Sequence, residues 1–168
     1  MLVYFRKLDN NSEMKKLFLL TVVFFFSSFA AQAITLSDLM GNWKSSGDMY
    51  QNNTLIGKAV GTGKFTKYGT KGAYSVATVT VNGVSATGQM WMLETGELLG
   101  CVKQGNTTIG ILSGSWSIKN NAIIQNISAN TLNQNYTQSV EVKIINKNKI
   151  SSISTTSTGL RAVGMLVR

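Results

Sequence analysis

Catalysis at neutral pH needs side chains that titrate usefully, attack carbon or hold a metal, and this chain offers few of them. It has no His, a single Cys (Cys101) and seven acids against 16 Lys and Arg. Past residue 33 the acids are Asp38, Asp48, Glu94, Glu97 and Glu141. Without His, a Ser or Cys nucleophile lacks its imidazole base, and the Cys/His sets that close around zinc cannot be assembled. The one spacing that could be written as a carboxylate pair for glycoside hydrolysis is Glu94-Thr95-Gly96-Glu97. Thr95-Gly96 reads as a hairpin turn, where flanking acids are ordinary. The expectation is therefore a protein that is not an enzyme, with no catalytic residues, no metal and no cofactor.

What remains is binding. The large aromatic side chains past residue 33 are Trp43, Tyr50, Phe65, Tyr68, Tyr74, Trp91, Trp116 and Tyr136, accompanied by Met49, Met90 and Met92. Of these, Trp43, Tyr50, Phe65, Tyr74, Trp91 and Trp116 are the candidates to line an interior that accepts a small apolar or amphipathic molecule. Met beside Trp, as in QMWML, suits an irregular apolar ligand because the thioether chain adapts its shape. In that stretch Trp91 shares a face with Gln89 and Leu93, and Met90 and Met92 share the other. If Met90 and Met92 are the outward set, the exposed apolar patch would suggest a protein partner instead.

Charge supplies a second candidate. The chain carries a formal +9, and between Met49 and Leu93 there are four lysines, Lys58, Lys64, Lys67 and Lys71, and no acid. Such a basic surface could meet an anionic envelope component or a protein, or it could be a solvated face whose lysines discourage sheet-to-sheet pairing. Lysines interleaved with aromatics in KFTKYGTKG would suit nucleic acid, but the leader described next argues for export, and no nucleic acid is expected.

The elements that must position these residues follow a leader. MKKLFLLTVVFFFSSFAAQA, Met14 to Ala33, has a basic start, a short apolar run and a small-x-small cleavage site, Ala31-Gln32-Ala33. Residues 1–33 are thus expected to be an upstream extension plus a cleavable signal peptide of bacterial type, with Met14 as the true start. The product, 34–168, would be one periplasmic or secreted domain, not membrane-spanning, because no other apolar run approaches the roughly 20 residues a spanning helix needs. One Cys cannot staple a small domain, so the fold must rely on a packed core, with Cys101 as a small buried hydrophobe.

Past a helical turn at TLSDLM, β-rich runs alternate with Gly, Asn, Ser and Thr punctuation. The pattern predicts strands near 42–50, 55–68, 73–81, 85–93, 98–104, 107–118, 122–128, 137–145, 149–155 and 160–168. Asn82-Gly83 is the two-residue hairpin signal, and every connection is short. Short connections make antiparallel neighbours. Eight to ten such strands in one domain close into a barrel and remove the exposed edges. The class is therefore all-β: a single up-and-down antiparallel meander closed into a barrel, entered by a short helical turn.

LSDLMGNWKSS resembles the start of lipocalins and bacterial lipocalin-like (calycin-type) barrels, in which a helical turn leads to G-x-W on the first strand, here Gly41 and Trp43. A second G-x-W, Gly114 and Trp116, followed by later meander strands and a basic residue near the end, is similar to small bacterial members. The resemblance implies a fold signature of Gly41, Trp43 and a basic residue crossing the indole, Arg168 or Arg161. It also implies non-catalytic binding of a small hydrophobic or amphipathic ligand. The alternative is an envelope-associated interaction or inhibitor protein working through its basic outer surface.

Overall fold

The computed structural model describes residues 39–70, 72–119, 122–131 and 134–168. The expected leader and its cleavage site lie outside the described residues, as do residues 35–38 of the expected helical turn; Leu39 has 3-10 geometry. Ten strands follow: β1 (Gly41–Gln51), β2 (Thr54–Tyr68), β3 (Gly72–Val81), β4 (Val84–Met92), β5 (Glu97–Gln104), β6 (Thr107–Lys119), β7 (Ala122–Thr131), β8 (Asn135–Asn146), β9 (Lys149–Thr156) and β10 (Leu160–Val167). Each pairs antiparallel with the next, and β1 pairs with β10, so the meander closes into a barrel. The strand ends differ from the predicted ones by at most three residues.

The turns explain why the runs end where they do. Asn82 and Gly83 take φ of 48° and 82°, and Asn52 and Asn53 take 49° and 66°. Positive φ at both central residues is the twist that returns a right-handed strand on itself, and Asn and Gly adopt it at least cost. Gly96, Gly105 and Gly159 serve the same need at other hairpins.

Side chains alternate across the wall. In β3, Ala73, Ser75, Ala77, Val79 and Val81 are buried, whereas Tyr74, Val76, Thr78 and Thr80 lie on the outer face. The core is the barrel interior, built from one face of every strand, with Trp43, Leu39, Met49, Met90 and Met92 the largest fully buried side chains. The inward face is mostly apolar, whereas the outward face mixes Ser, Thr and Lys with exposed apolar residues such as Val60, Leu99, Ile111 and Ile153. Three register shifts, in the β1–β2, β5–β6 and β8–β9 pairs, insert Ile56, Ile109 and Ile145 as extra residues. Such bulges sharpen the local twist and help a sheet curl closed.

Candidate ligand-binding site

The two G-x-W copies close the same end of the barrel from opposite sides. β1 starts at that end and β6 finishes there, and in the closed order they stand five strands apart, the largest separation ten strands allow. Trp43 is 2% exposed, its Nε1–H donates to Leu39 O at 2.9 Å, and the Arg168 guanidinium lies 4.5 Å from the ring centroid. Arg168 also donates to Met40 O at 3.1 Å, tying the end of the chain to the entry of β1. Trp116 is half-buried against the core, with Nε1–H donating to Leu93 O at 2.9 Å. In both copies the ring supplies apolar area while its one donor is satisfied by a backbone carbonyl of the segment closing that end. Arg161, the other basic candidate, is exposed on the outer face of β10.

The glycines of the two copies have different reasons. Gly41 holds φ of 128°, a region that side chains avoid, and a Cβ there would meet nothing closer than Arg168 Nε at 4.0 Å. Gly114 lies where β6 presses on β7, and a Cβ would fall 2.0 Å from Asn126 O.

Of the six aromatics expected inside, Trp43 and Phe65 are buried there, and Trp116 packs on the core from its margin. Tyr50, Tyr74 and Trp91 are corrections. Strand parity puts them on the outer wall, because Met49, Ala73, Ser75, Met90 and Met92 take the buried positions beside them. Tyr74 and Trp91 face each other across the β3–β4 pair with ring centroids 4.9 Å apart and planes at 35°, which shelters each ring without entering the barrel. The methionines of QMWML thus supply the interior surface. Cys101 is a further correction: it is half-buried on the outer face, with its Sγ 3.8 Å from Gln89 Oε1.

The interior has a polar, small-residue side that the aromatic inventory does not reveal. In the middle of the β2, β1, β10 and β9 walls the inward positions Ala59, Gly47, Ala162, Gly164, Ser152 and Ser154 are small, with Trp43, Phe65, Leu166 and Ile150 buried towards one end and Met49 and Leu160 towards the other. Gly47, Gly164 and Ser152 sit side by side in register. On neighbouring β8, Gln138 Nε2–H donates to Ser154 Oγ. Four buried polar atoms have no hydrogen-bond partner among the described residues: Ser45 Oγ, Ser152 Oγ, Gln138 Oε1 and Tyr136 Oη. Each such atom costs about 1–3 kcal/mol of desolvation that no bond repays. Burial also pushes the Tyr136 phenol above its ordinary value, so it stays a neutral donor. Period two from Ile150 would have placed Ser152 and Ser154 inside, but the apolar Ile153, which is outward and 41% exposed, masks that signal.

The outer wall carries open depressions. One of about 580 Å³ runs over β1, β2 and β3 and is bordered by Lys44, Lys64 and Arg168. Another, of about 510 Å³, lies over β6 to β9 and reaches Tyr136. Lys58 and Lys64 project outward from β2, Lys67 is exposed at its far end, and Lys71 lies outside the described residues. Glu94 Oε1 accepts the Thr70 backbone N–H at 2.8 Å and Glu97 Oε2 accepts from Thr95 Oγ1 at 3.1 Å, so both acids serve the turns. No group of three potential metal ligands occurs among the described residues.

No protein-family model matches this chain, and no curated protein does. Among solved structures it is similar to a redesigned β-barrel, mFAP0, bound to DFHBI, at 18% identity and a TM-score of 0.50 over 78% of this chain and 99% of that one. A related redesigned β-barrel, mFAP1, also bound to DFHBI, matches at 17% identity and a TM-score of 0.50 over 80% and 98%. At these identities the likeness shows the fold, an antiparallel β-barrel, alone.

Proposed function

We propose that this chain is an exported, lipocalin-like barrel of bacterial type that binds a small hydrophobic or amphipathic molecule in its interior, without catalysis. The observation that carries the reading is the interior itself. It is plugged at one end by Trp43, Trp116 and Arg168, lined by buried methionines, and left with polar atoms that nothing in the described chain satisfies. That two redesigned barrels of similar fold are bound to DFHBI supports a barrel of this kind as a small-molecule holder. The signal pattern of residues 14–33 supports export to the periplasm or beyond.

Titrating the purified protein with the neutral, polarity-sensitive dye Nile red tests the reading. A saturable blue shift of the dye with a matching change in Trp fluorescence is expected. Absence of both, together with a native mass spectrum showing no co-purified small molecule, refutes it.

One feature favours a second reading, an envelope-associated protein acting through its outer surface. The depression over β1 to β3 gathers Lys44, Lys64 and Arg168, and Lys58 stands exposed on the same strand as Lys64. Co-sedimentation with vesicles of anionic phospholipid should then disappear when Lys58, Lys64, Lys67 and Lys71 are replaced by Glu. Unchanged binding sinks this reading.

A further inference from the structure

We infer that the outer wall over β3 to β6 is a self-association face, on which a second copy of this chain docks about a twofold axis to form a weak dimer. The face is separate from the barrel interior, so it is independent of what the interior holds. Closure of the barrel leaves no strand edge at which copies could pair, and association has to use a wall. A chain with a formal +9 repels its copies over most of its surface. The β5 wall is different because its charges complement themselves.

On β5 the outward positions read Glu97, Leu99, Cys101 and Lys103, since Leu98 and Val102 are buried between them. Reversed, that row matches itself. A twofold axis lying in the contact plane and crossing β5 at Gly100 sets Glu97 of each copy opposite Lys103 of the other, and Leu99 opposite Cys101. The flanking strands fit the same axis. Register places Trp91 and Ser113 beside Leu99, and Gln89 and Ile111 beside Cys101. Reversal therefore sets Ile111, 62% exposed, over Ser113, and Leu99, 50% exposed, over the half-buried Cys101. Each protruding side chain meets a smaller one. Between the charged ends both rows are neutral from β3 to β6, so burial of Leu99 and Ile111 drives the contact while the Glu97–Lys103 pairs set its orientation. Two convex walls touch over few strands, which puts the contact at the small end of specific interfaces, with Kd on the order of 10–500 µM.

Sedimentation equilibrium of the purified protein from about 10 µM to about 1 mM covers that range and should show a monomer–dimer equilibrium. Glu97→Lys and Lys103→Glu, each made alone, bring two like-charge pairs into the dimer and should each raise Kd at least about fivefold. The Glu97→Lys/Lys103→Glu double variant restores both pairs with the signs exchanged, and an equimolar mixture of the two single variants restores them in a heterodimer. Both should return to within about threefold of the native Kd. Because Glu97→Lys also removes the bond from Thr95 Oγ1, Leu99→Ser supplies a variant that leaves charge and turn alone. It should raise Kd at least about tenfold while melting within a few degrees of the native protein, since Leu99 lies outside the core. A native protein that stays monomeric to about 1 mM overturns the inference and leaves the face to a different protein. Single charge variants that dimerise like the native chain, a mixture no tighter than its components, or a Leu99→Ser protein that dimerises unchanged overturn it as well.

Discussion

Gly114→Ala should be among the most destabilising single-methyl additions in this barrel, and Gly41→Ala, at the equivalent place in the other G-x-W, much milder. At Gly114 the added Cβ falls 2.0 Å from Asn126 O, where ordinary contact begins near 3.4 Å, so something must move by more than 1 Å. The obstacle is backbone of a paired strand, with Asn126 C and Ile127 Cα each 3.0 Å away, and it cannot rotate aside. Relief means separating β6 from β7 around the Gly114–Ile127 pair. Overpacking of this kind costs about 1–3 kcal/mol, and losing one or two ladder hydrogen bonds adds about 1 kcal/mol each. The expected total is about 2–5 kcal/mol, or roughly 8–20 °C in Tm at about 4 °C per kcal/mol for a domain of this size. At Gly41 there is room, and only the φ of 128° is strained, which costs about 1–2 kcal/mol. Urea denaturation of both variants, followed by Trp fluorescence and circular dichroism, measures the two costs. If Gly114→Ala loses under 1 kcal/mol, or Gly41→Ala loses more than Gly114→Ala, the account of the two motifs is wrong.

Other expectations follow from the same contacts. Arg168→Ala removes the guanidinium over Trp43 and its bond to Met40 O, and should cost about 1–2 kcal/mol in thermal melts, with Arg168→Lys recovering part of it. Tyr136 is held protonated by burial, whereas in the unfolded chain it releases its proton near pH 10. The folded state therefore binds more protons above that pH, and stability should fall as pH rises past about 10, by up to about 1.4 kcal/mol per unit. Denaturation at pH 9 and pH 11 should show this slope in the native protein, with a smaller one in Tyr136→Phe; equal slopes contradict it. Trp91→Ala strips the outer Tyr74 stack and should cost about 0.5–1.5 kcal/mol beyond the lost area, yet leave Nile red affinity within about twofold in fluorescence titration.

Strand order and turns were legible because period-two alternation and the Asn/Gly turn residues act locally: Asn82-Gly83 specifies its hairpin whatever the rest of the chain does. Closure was legible too, since short connections leave sequential strands no arrangement but a meander. Which face of a strand points inward was harder. Trp91 and Tyr74 look like core residues by size, but their stack across β3 and β4 covers one ring with the other on the outside. The slimmer Met90 and Met92 then fit the interior. Tyr136 fell just before its predicted strand, which starts two residues earlier, at Asn135. Ser152 and Ser154 were hidden because polar residues are expected outside, and the interior here keeps polar atoms that a packed core has no use for. The second Trp read as a wall residue because nothing local says that β1 and β6 will meet at one end across the barrel.

Methionine-methyl NMR tests the central claim most directly. Met49, Met90 and Met92 are buried inside, whereas Met165 lies on the outer face of β10. On titration with Nile red, saturable ring-current shifts are predicted among the buried Met49, Met90 and Met92, with Met165 unmoved. Shifts confined to Met165, or none at saturating probe, would contradict a ligand in the barrel interior.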